Sequence, residues 1–109
     1  MRKLIHIDEE LSELIPGFLK RKREDVDLVR VALTHADFNS IARLAHRIKG
    51  EGGSYGFDGI SAIGLAMETA AKAADVHGIQ RGLNALCEYL DNVDVEFVSS
   101  DEAEPLHAH

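Results

Sequence analysis

Residues 37–56 read DFNSIARLAHRIKGEGGSYG, and this stretch decides the fold. Asp37 stands where a helix N-cap would stand, because its carboxylate can accept the free amides of a first helical turn. Apolar residues then recur at spacings of three and four, the period of one face of an α-helix; they are Ile41, Leu44, Ala45 and Ile48. The stretch therefore predicts an amphipathic helix that stops in a glycine-rich segment ending at Gly56.

Three more apolar stripes of the same period flank this helix. The first follows Pro16, a residue suited to the first turn of a helix, and consists of Phe18, Leu19, Val26, Val29, Ala32 and Leu33. The second has Asp58 as its predicted N-cap and consists of Ile60, Ile63, Met67, Ala70 and Ala74. The third consists of Ile79, Leu83, Leu86, Leu90, Val93 and Phe97. The chain thus predicts four helices.

Short connections between four such helices favour antiparallel neighbours. We therefore predict an all-α fold, an antiparallel up-down-up-down four-helix bundle over residues 1–98, with a short extra helical turn over residues 9–15. No alternation of period two is long enough to predict a strand. Residues 99–109 have little apolar content and contain a proline, so they are predicted to be a disordered tail or a linker.

The length and composition of the chain are typical of a small globular protein. A chain of 109 residues with 45% hydrophobic and 28% charged residues fits one soluble globular domain. No apolar run approaches the roughly 20 residues that span a bilayer, and no signal peptide is recognisable. The single cysteine, Cys87, fits a reducing cytosol, and its expected role is that of a small, partly buried hydrophobe. We expect a cytoplasmic protein without membrane association.

The net charge of −7 is concentrated at one end of the chain. From residue 88 onward there is no Lys or Arg, and the seven acidic residues there account for the whole excess: Glu88, Asp91, Asp94, Glu96, Asp101, Glu102 and Glu104. Such an end would repel a phosphate backbone, so no nucleic-acid partner is expected. The basic run of residues 20–23 is followed closely by acids, and we expect it to form a solvated helix face.

A helical projection of the second helix places His46 on its outer side. With Ile48 at the centre of the buried face and about 100° per residue, His46 falls near ~160°, almost opposite the core. Ala42 lies one turn before it on the same side, and Gly50 and Gly53 lie one and two turns after it. The projection therefore predicts an exposed imidazole on a strip that has almost no side chains.

The glycines on and beside that strip call for an explanation. If Gly50, Gly52 and Gly53 are all helical, they cost on the order of 2–3 kcal/mol relative to alanine. Three explanations are open at this point: the helix ends near Gly50, a neighbouring helix crosses closely at Gly52, or a large partner must approach His46. The surrounding charge favours the third, because Arg43, Arg47 and Lys49 lie within one turn of His46 and residues 38–50 contain no acid. A positive field would stabilise a phosphorylated imidazole and attract an acidic partner.

The segment from Ala45 to Gly56 resembles the histidine-containing phosphotransfer (Hpt) domain signature of two-component phosphorelays. That pattern is Ala-His-x-apolar-Lys-Gly, a small residue, and a glycine before the next helix; here it is carried by Ala45, His46, Ile48, Lys49, Gly50, Gly53 and Gly56. The apolar, acidic and small positions of the next helix continue the match, and so does the spacing of residues 18–37. One departure is Gly52, where the family usually has a small residue with a side chain.

The resemblance implies a role for each of these positions. His46 would be the phosphoacceptor, and Lys49 would contact phosphoryl oxygens, with Arg43 and Arg47 in support. Glu68 would orient the imidazole, while Ala42, Gly50, Gly53 and Leu65 would leave room for or face the partner. Tyr55 and Phe57 are interpreted as packing residues at the end of the bundle.

In such a relay the chain would be a phosphocarrier without catalysis of its own. It would exchange the phosphoryl group with the aspartate of a response-regulator receiver domain, which would hold the Mg²⁺, and a sensor or hybrid histidine kinase would supply the pathway. We expect no cofactor and no metal here, and the pair His107 and His109 is interpreted as part of a frayed terminus. His35 and His77 are expected to be solvated or cap-associated. A monomer is expected, because every apolar stripe has a partner within the bundle.

Three other functions remain open from the sequence. A non-phosphorylated adaptor would keep the bundle and dock a receiver or kinase domain through the surface around Leu65. The chain would alternatively be the substrate domain of a chemotaxis-type histidine kinase, separated from its catalytic parts. A metal-binding bundle would need inward-facing carboxylate and histidine pairs, whereas the predicted inward positions are apolar.

Overall fold

The computed structural model describes residues 2–99 and contains four α-helices and two short strands. Strand β1 (Lys3–Asp8) leads through a single 3-10 turn (Glu9–Leu11) into α1 (Ile15–Thr34). Helices α2 (Phe38–Ser54), α3 (Asp58–Lys72) and α4 (Val76–Asn92) follow, each after a three-residue connection, and β2 (Val93–Val98) continues directly from α4. Residues 100–109, which make up most of the predicted tail and include His107 and His109, lie outside the described residues.

The helices run antiparallel to one another. In the pair α1 and α2, Lys22 contacts Glu51 while Asp25, further along α1, contacts Arg47, earlier in α2. The pairs α2 and α3, α3 and α4, and α1 and α4 are also in contact, which closes the four helices around one core. The predicted four-helix bundle is therefore confirmed.

The core is built mainly from the predicted stripes. The prediction is wrong for Ala74, which lies beyond the end of α3 and is exposed, and for Val93 and Phe97, which belong to β2. The largest completely buried side chains of the core come from every helix and include Phe18, Ile41, Ile48, Ile60, Met67, Ile79 and Leu86. At the end of the bundle where α2 turns into α3, Phe18 stacks on Phe57 with ring centroids 5.2 Å apart and lies 4.6 Å from the ring of Tyr55. This packing confirms the interpretation of Tyr55 and Phe57 as packing residues at the end of the bundle.

The expectation that the chain has no strand is wrong. β1 and β2 form a parallel pair whose register runs from Lys3 opposite Val93 to Asp8 opposite Val98. Val93, Val95 and Phe97 alternate with Asp94 and Glu96, which is a period-two pattern rich in β-branched residues. Because Leu90, Val93 and Phe97 also fit a helical spacing, six residues were too few for the pattern to decide.

Two local predictions at helix starts have different outcomes. Asp37 is the N-cap of α2, and its carboxylate accepts the amide of Ser40 at 3.2 Å. Asp58, in contrast, is the first residue of α3; the cap position belongs to Phe57, which makes no side-chain cap. The side chain of Phe57 is completely buried, so the core fixes the start of α3 and a polar cap is not needed.

No helix among residues 2–99 has the length and apolar character required to cross a lipid bilayer.

Candidate functional site

His46 lies in the middle of α2 and points away from the core. Its side chain is 69% exposed, whereas its neighbours Ala45 and Ile48 are completely buried. The helical projection is therefore confirmed, because one turn of α2 places an apolar face inward and the imidazole outward.

One ring nitrogen of His46 is held by Glu68 of α3. Nδ1 of His46 lies 3.1 Å from Oε2 of Glu68, and the glutamate side chain is only 12% exposed. Partial desolvation raises the pKa of Glu68, but the hydrogen bond and charge of Lys72, together with His46, outweigh it and leave that pKa below its ordinary value. Glu68 is thus a carboxylate at neutral pH and can only accept a hydrogen bond.

The ionisation state of Glu68 fixes the tautomer of the ring. Since the carboxylate has no proton to give, Nδ1 of His46 must be the donor in the 3.1 Å contact. In the neutral ring the lone pair then resides on Nε2, at the other edge of the imidazole. When the ring is neutral, its unprotonated nitrogen is therefore the one at the edge that does not face Glu68.

Close packing of α3 on α2 brings Glu68 to the histidine. A Cβ atom added at Gly64 would lie 2.5 Å from the backbone nitrogen of Lys49 and 2.9 Å from the carbonyl oxygen of Ala45. One at Gly52 would lie 2.7 Å from the backbone nitrogen of Ser61. Neither position tolerates a side chain without a shift of the helices. Gly64 was not among the residues predicted to matter, although a glycine within the buried stripe of α3 is a signal of such a crossing.

Of the three open explanations for the glycines of α2, the structure excludes one and confirms a second for Gly52. The helix does not end near Gly50, since it continues to Ser54, so that explanation is wrong. Gly52 is buried at the crossing with α3, as the second explanation requires. Gly50 and Gly53 are exposed: among residues 2–99, an added Cβ would meet nothing within 4 Å at Gly50 and only Ser61 Oγ, at 3.7 Å, at Gly53. Packing among these residues does not require glycine at either place.

The basic residues near His46 differ in what they contact. Lys49 is half-buried and has no hydrogen-bond or ion-pair partner among the residues that the structure describes. Arg43 donates to the hydroxyl of Ser40 at 3.0 Å. Arg47 donates to Oδ1 of Asp25, on α1, at 2.6 Å. Lys49 is therefore the cation of α2 whose side chain has no hydrogen-bond or ion-pair partner within residues 2–99.

Arg47 belongs to a network between α1 and α2 whose centre, Lys22 and Asp25, is buried. Asp25 is 3% exposed and also accepts from Nζ of Lys22 at 2.6 Å, while Lys22, completely buried, contacts Glu51 as well. The expectation that residues 20–23 form a solvated face is thus wrong for Lys22. Two cations and two carboxylates balance each other, which is the condition for burying charge at a protein interior.

The remaining predicted positions fall on the same side of the bundle or at helix ends. Ala42 is half-buried on α2, and Leu65 of α3 is 50% exposed. His35 is the C-cap of α1, with Nδ1 at 3.0 Å from the carbonyl oxygen of Val31, and His77 is exposed in the first turn of α4. Within the described part of the chain, no three His, Cys, Asp or Glu side chains gather as metal ligands would.

One protein-family model matches this chain. The model of the Hpt domain matches residues 13–96, which include all four helices. Hpt domains are phosphocarrier modules that carry out histidine phosphotransfer in two-component phosphorelays, and they interact with receiver domains and histidine kinases. Neither the curated proteins nor the solved structures include a significant match to this chain.

Proposed function

Because the chain belongs to the Hpt domain family, we propose that His46 accepts a phosphoryl group from the aspartyl phosphate of a response-regulator receiver domain and passes it on to another. The observation that carries this proposal is the exposed ring of His46, whose Nδ1 is bound to Glu68 so that Nε2 is left free for transfer. A sensor or hybrid histidine kinase would be the first source of the group.

The transfer step follows from the tautomer. The lone pair of Nε2 attacks phosphorus, a P–N bond forms, and the P–O bond to the aspartate breaks with its electron pair remaining on the aspartate carboxylate. The ring then carries positive charge and keeps its proton on Nδ1. Glu68, 3.1 Å away, stabilises that charge as it develops. The reverse transfer uses the same contacts.

The electrostatics of the surroundings support the same step. Lys49 is one turn from His46 and has no hydrogen-bond or ion-pair partner within residues 2–99, so its ammonium is the group that we assign to the phosphoryl oxygens. Arg43 binds the uncharged hydroxyl of Ser40 and adds to the positive field, whereas the charge of Arg47 is largely offset by Asp25. The chain supplies a positioned nucleophile, and we assign Mg²⁺ and the remaining phosphoryl-binding groups to the receiver domain.

The test is transfer of labelled phosphate from a phosphorylated receiver domain to the purified chain. We expect label that is labile in acid, stable in base and mapped by mass spectrometry to the peptide containing His46. A non-phosphorylated adaptor would bind the receiver without taking label. Absence of label with several receivers that transfer to other Hpt domains would therefore overturn the phosphocarrier function and favour the adaptor.

Gly50 provides a test of the access that the proposal needs. In Gly50→Leu the new side chain would stand in open space one turn from His46 and obstruct the receiver. We expect transfer to slow by about 10- to 100-fold, since misplacing reacting groups by about 1 Å can have an effect of that size. The transfer rate is measured by quenching the reaction at successive times and counting the label on the chain.

The matched control at this position is Gly50→Ala. Because a Cβ there meets nothing within 4 Å, alanine should stabilise α2 by about 0.5–1 kcal/mol in denaturant unfolding and leave transfer near the wild-type rate. Unfolding of Gly50→Leu in circular dichroism, or transfer by Gly50→Leu at the wild-type rate, would contradict the access argument.

A further inference from the structure

Lys72 and His46 share one oxygen atom of Glu68. Nζ of Lys72 lies 3.3 Å from Oε2, and Nδ1 of His46 lies 3.1 Å from the same atom. Lys72 is one helical turn after Glu68 on α3, so the two side chains stand on one face. Lys72 has no role in the transfer step described above. Within residues 2–99, however, its ammonium contacts the only carboxylate that touches the ring of His46.

A carboxylate beside an imidazole has two opposing effects on a nucleophile. It orients the ring and stabilises the charge that develops during transfer, but it also favours protonation of the ring before transfer begins. An imidazolium has no lone pair on Nε2 and cannot attack phosphorus. A group that keeps the hydrogen bond but weakens the pull of Glu68 on a second proton would therefore help the reaction.

We propose that Lys72 is a positioning residue that acts through Glu68 to keep the ring of His46 neutral before transfer. Its ammonium shares the charge of Oε2 and repels a second positive charge on the neighbouring ring. It contacts Glu68, on the Nδ1 side of the imidazole, whereas phosphorus bonds to Nε2. The inference rests on the proposed function of His46, because a neutral ring is useful only if the ring takes part in transfer. The protonation of the ring can nevertheless be measured without any transfer.

The charged groups on the helices around His46 are Asp25 on α1, Arg43, Arg47 and Lys49 on α2, and Glu68 and Lys72 on α3. Asp25 is bound to Arg47, and Arg43 to Ser40. Among the cations of residues 2–99, Lys72 is the one whose ion pair includes the oxygen that His46 uses.

The experiment follows the ring of His46 by ¹⁵N-histidine NMR in the wild-type chain and in Lys72→Met. We expect the pH at which the ring is half protonated to be higher in the variant by about half a pH unit, the size that an exposed ion pair supports. Lys72→Arg should remain at the wild-type midpoint because it keeps the charge. Lys20→Met, an exposed lysine of α1 away from the site, controls for net charge.

The same variants should differ in the pH profile of phosphotransfer. Below the midpoint, Lys72→Met should accept label more slowly than the wild type, by up to about threefold, which is the ratio of neutral rings for half a pH unit. At high pH both rings are neutral, and Lys72→Met should be no slower than the wild type, because the unshared charge of Glu68 also stabilises the positive charge that develops on the ring. In a Glu68→Gln background the effect of Lys72→Met should become smaller, because the shared oxygen has lost its charge.

Three results would overturn the inference: an unchanged midpoint in Lys72→Met, an equal shift in Lys20→Met, or slower transfer at every pH. Each is separable from failure of the proposed function. The NMR midpoint is measured without any receiver domain, whereas failure of the proposed function appears as absence of label on the wild-type chain.

Discussion

Replacing His46 with glutamine is expected to abolish acceptance of label from a phosphorylated receiver domain. Glutamine has no nucleophilic nitrogen at the position of Nε2, so no P–N bond can form. The imidazole is 69% exposed and makes its hydrogen bond at the surface of the bundle, so the free energy of unfolding should change by no more than about 0.5 kcal/mol. Acid-labile, base-stable label and denaturant unfolding measure the two effects on one preparation.

His35→Gln is the matched control for this change. His35 is also an exposed histidine at the end of a neighbouring helix, where its ring contacts the carbonyl oxygen of Val31. It should keep wild-type label. Label that survives in His46→Gln, or that disappears in His35→Gln, would move the acceptor away from His46 and would leave the Glu68 contact without a role in transfer.

The outward position of His46 could be predicted because it depends only on the geometry of one helix. A rotation of about 100° per residue and an apolar stripe fix which side chains face the core. The contact with Glu68 was expected only from the family resemblance, because its distance depends on how closely two helices pack. That closeness rests on Gly64 and Gly52, whose missing side chains allow α3 to reach the backbone of α2.

Two features of the fold, the strand pair and the burial of Lys22, were not predicted from the sequence, and each has a physical reason. The strand pair was missed because six residues satisfy two periods at once, and the pairing of Lys3–Asp8 with Val93–Val98 joins segments at opposite ends of the described chain. Lys22 was assigned to solvent because basic runs are usually exposed. It nevertheless lies four residues after Phe18 and four before Val26, both of them buried. A charge at such a position is a signal of a buried ion pair.

Asp25→Ala is expected to destabilise the fold by about 3 kcal/mol. The carboxylate of Asp25 receives both Lys22 and Arg47, at 2.6 Å each, and is almost completely buried. Removing one member of a buried ion pair typically costs 3–5 kcal/mol, because its partner is left desolvated and unpaired. We expect about 3 kcal/mol, the lower end, because Lys22 keeps Glu51 and Arg47 can turn to solvent. Denaturant unfolding followed by circular dichroism measures the loss.

Asp27→Ala is the control, since Asp27 lies on the same helix with its side chain 79% exposed, and it should change stability by no more than about 0.5 kcal/mol. A double variant, Lys22→Met with Asp25→Ala, should lose less than the sum of the two single losses, by about 1 kcal/mol or more. The combined loss is smaller than the sum because Lys22→Met removes the buried ammonium that Asp25→Ala deprives of a partner. Strict additivity, or a loss in Asp25→Ala no larger than in Asp27→Ala, would mean that water reaches this network in solution. Arg47, the residue after the phosphoacceptor, would then not be held by a buried partner on α1.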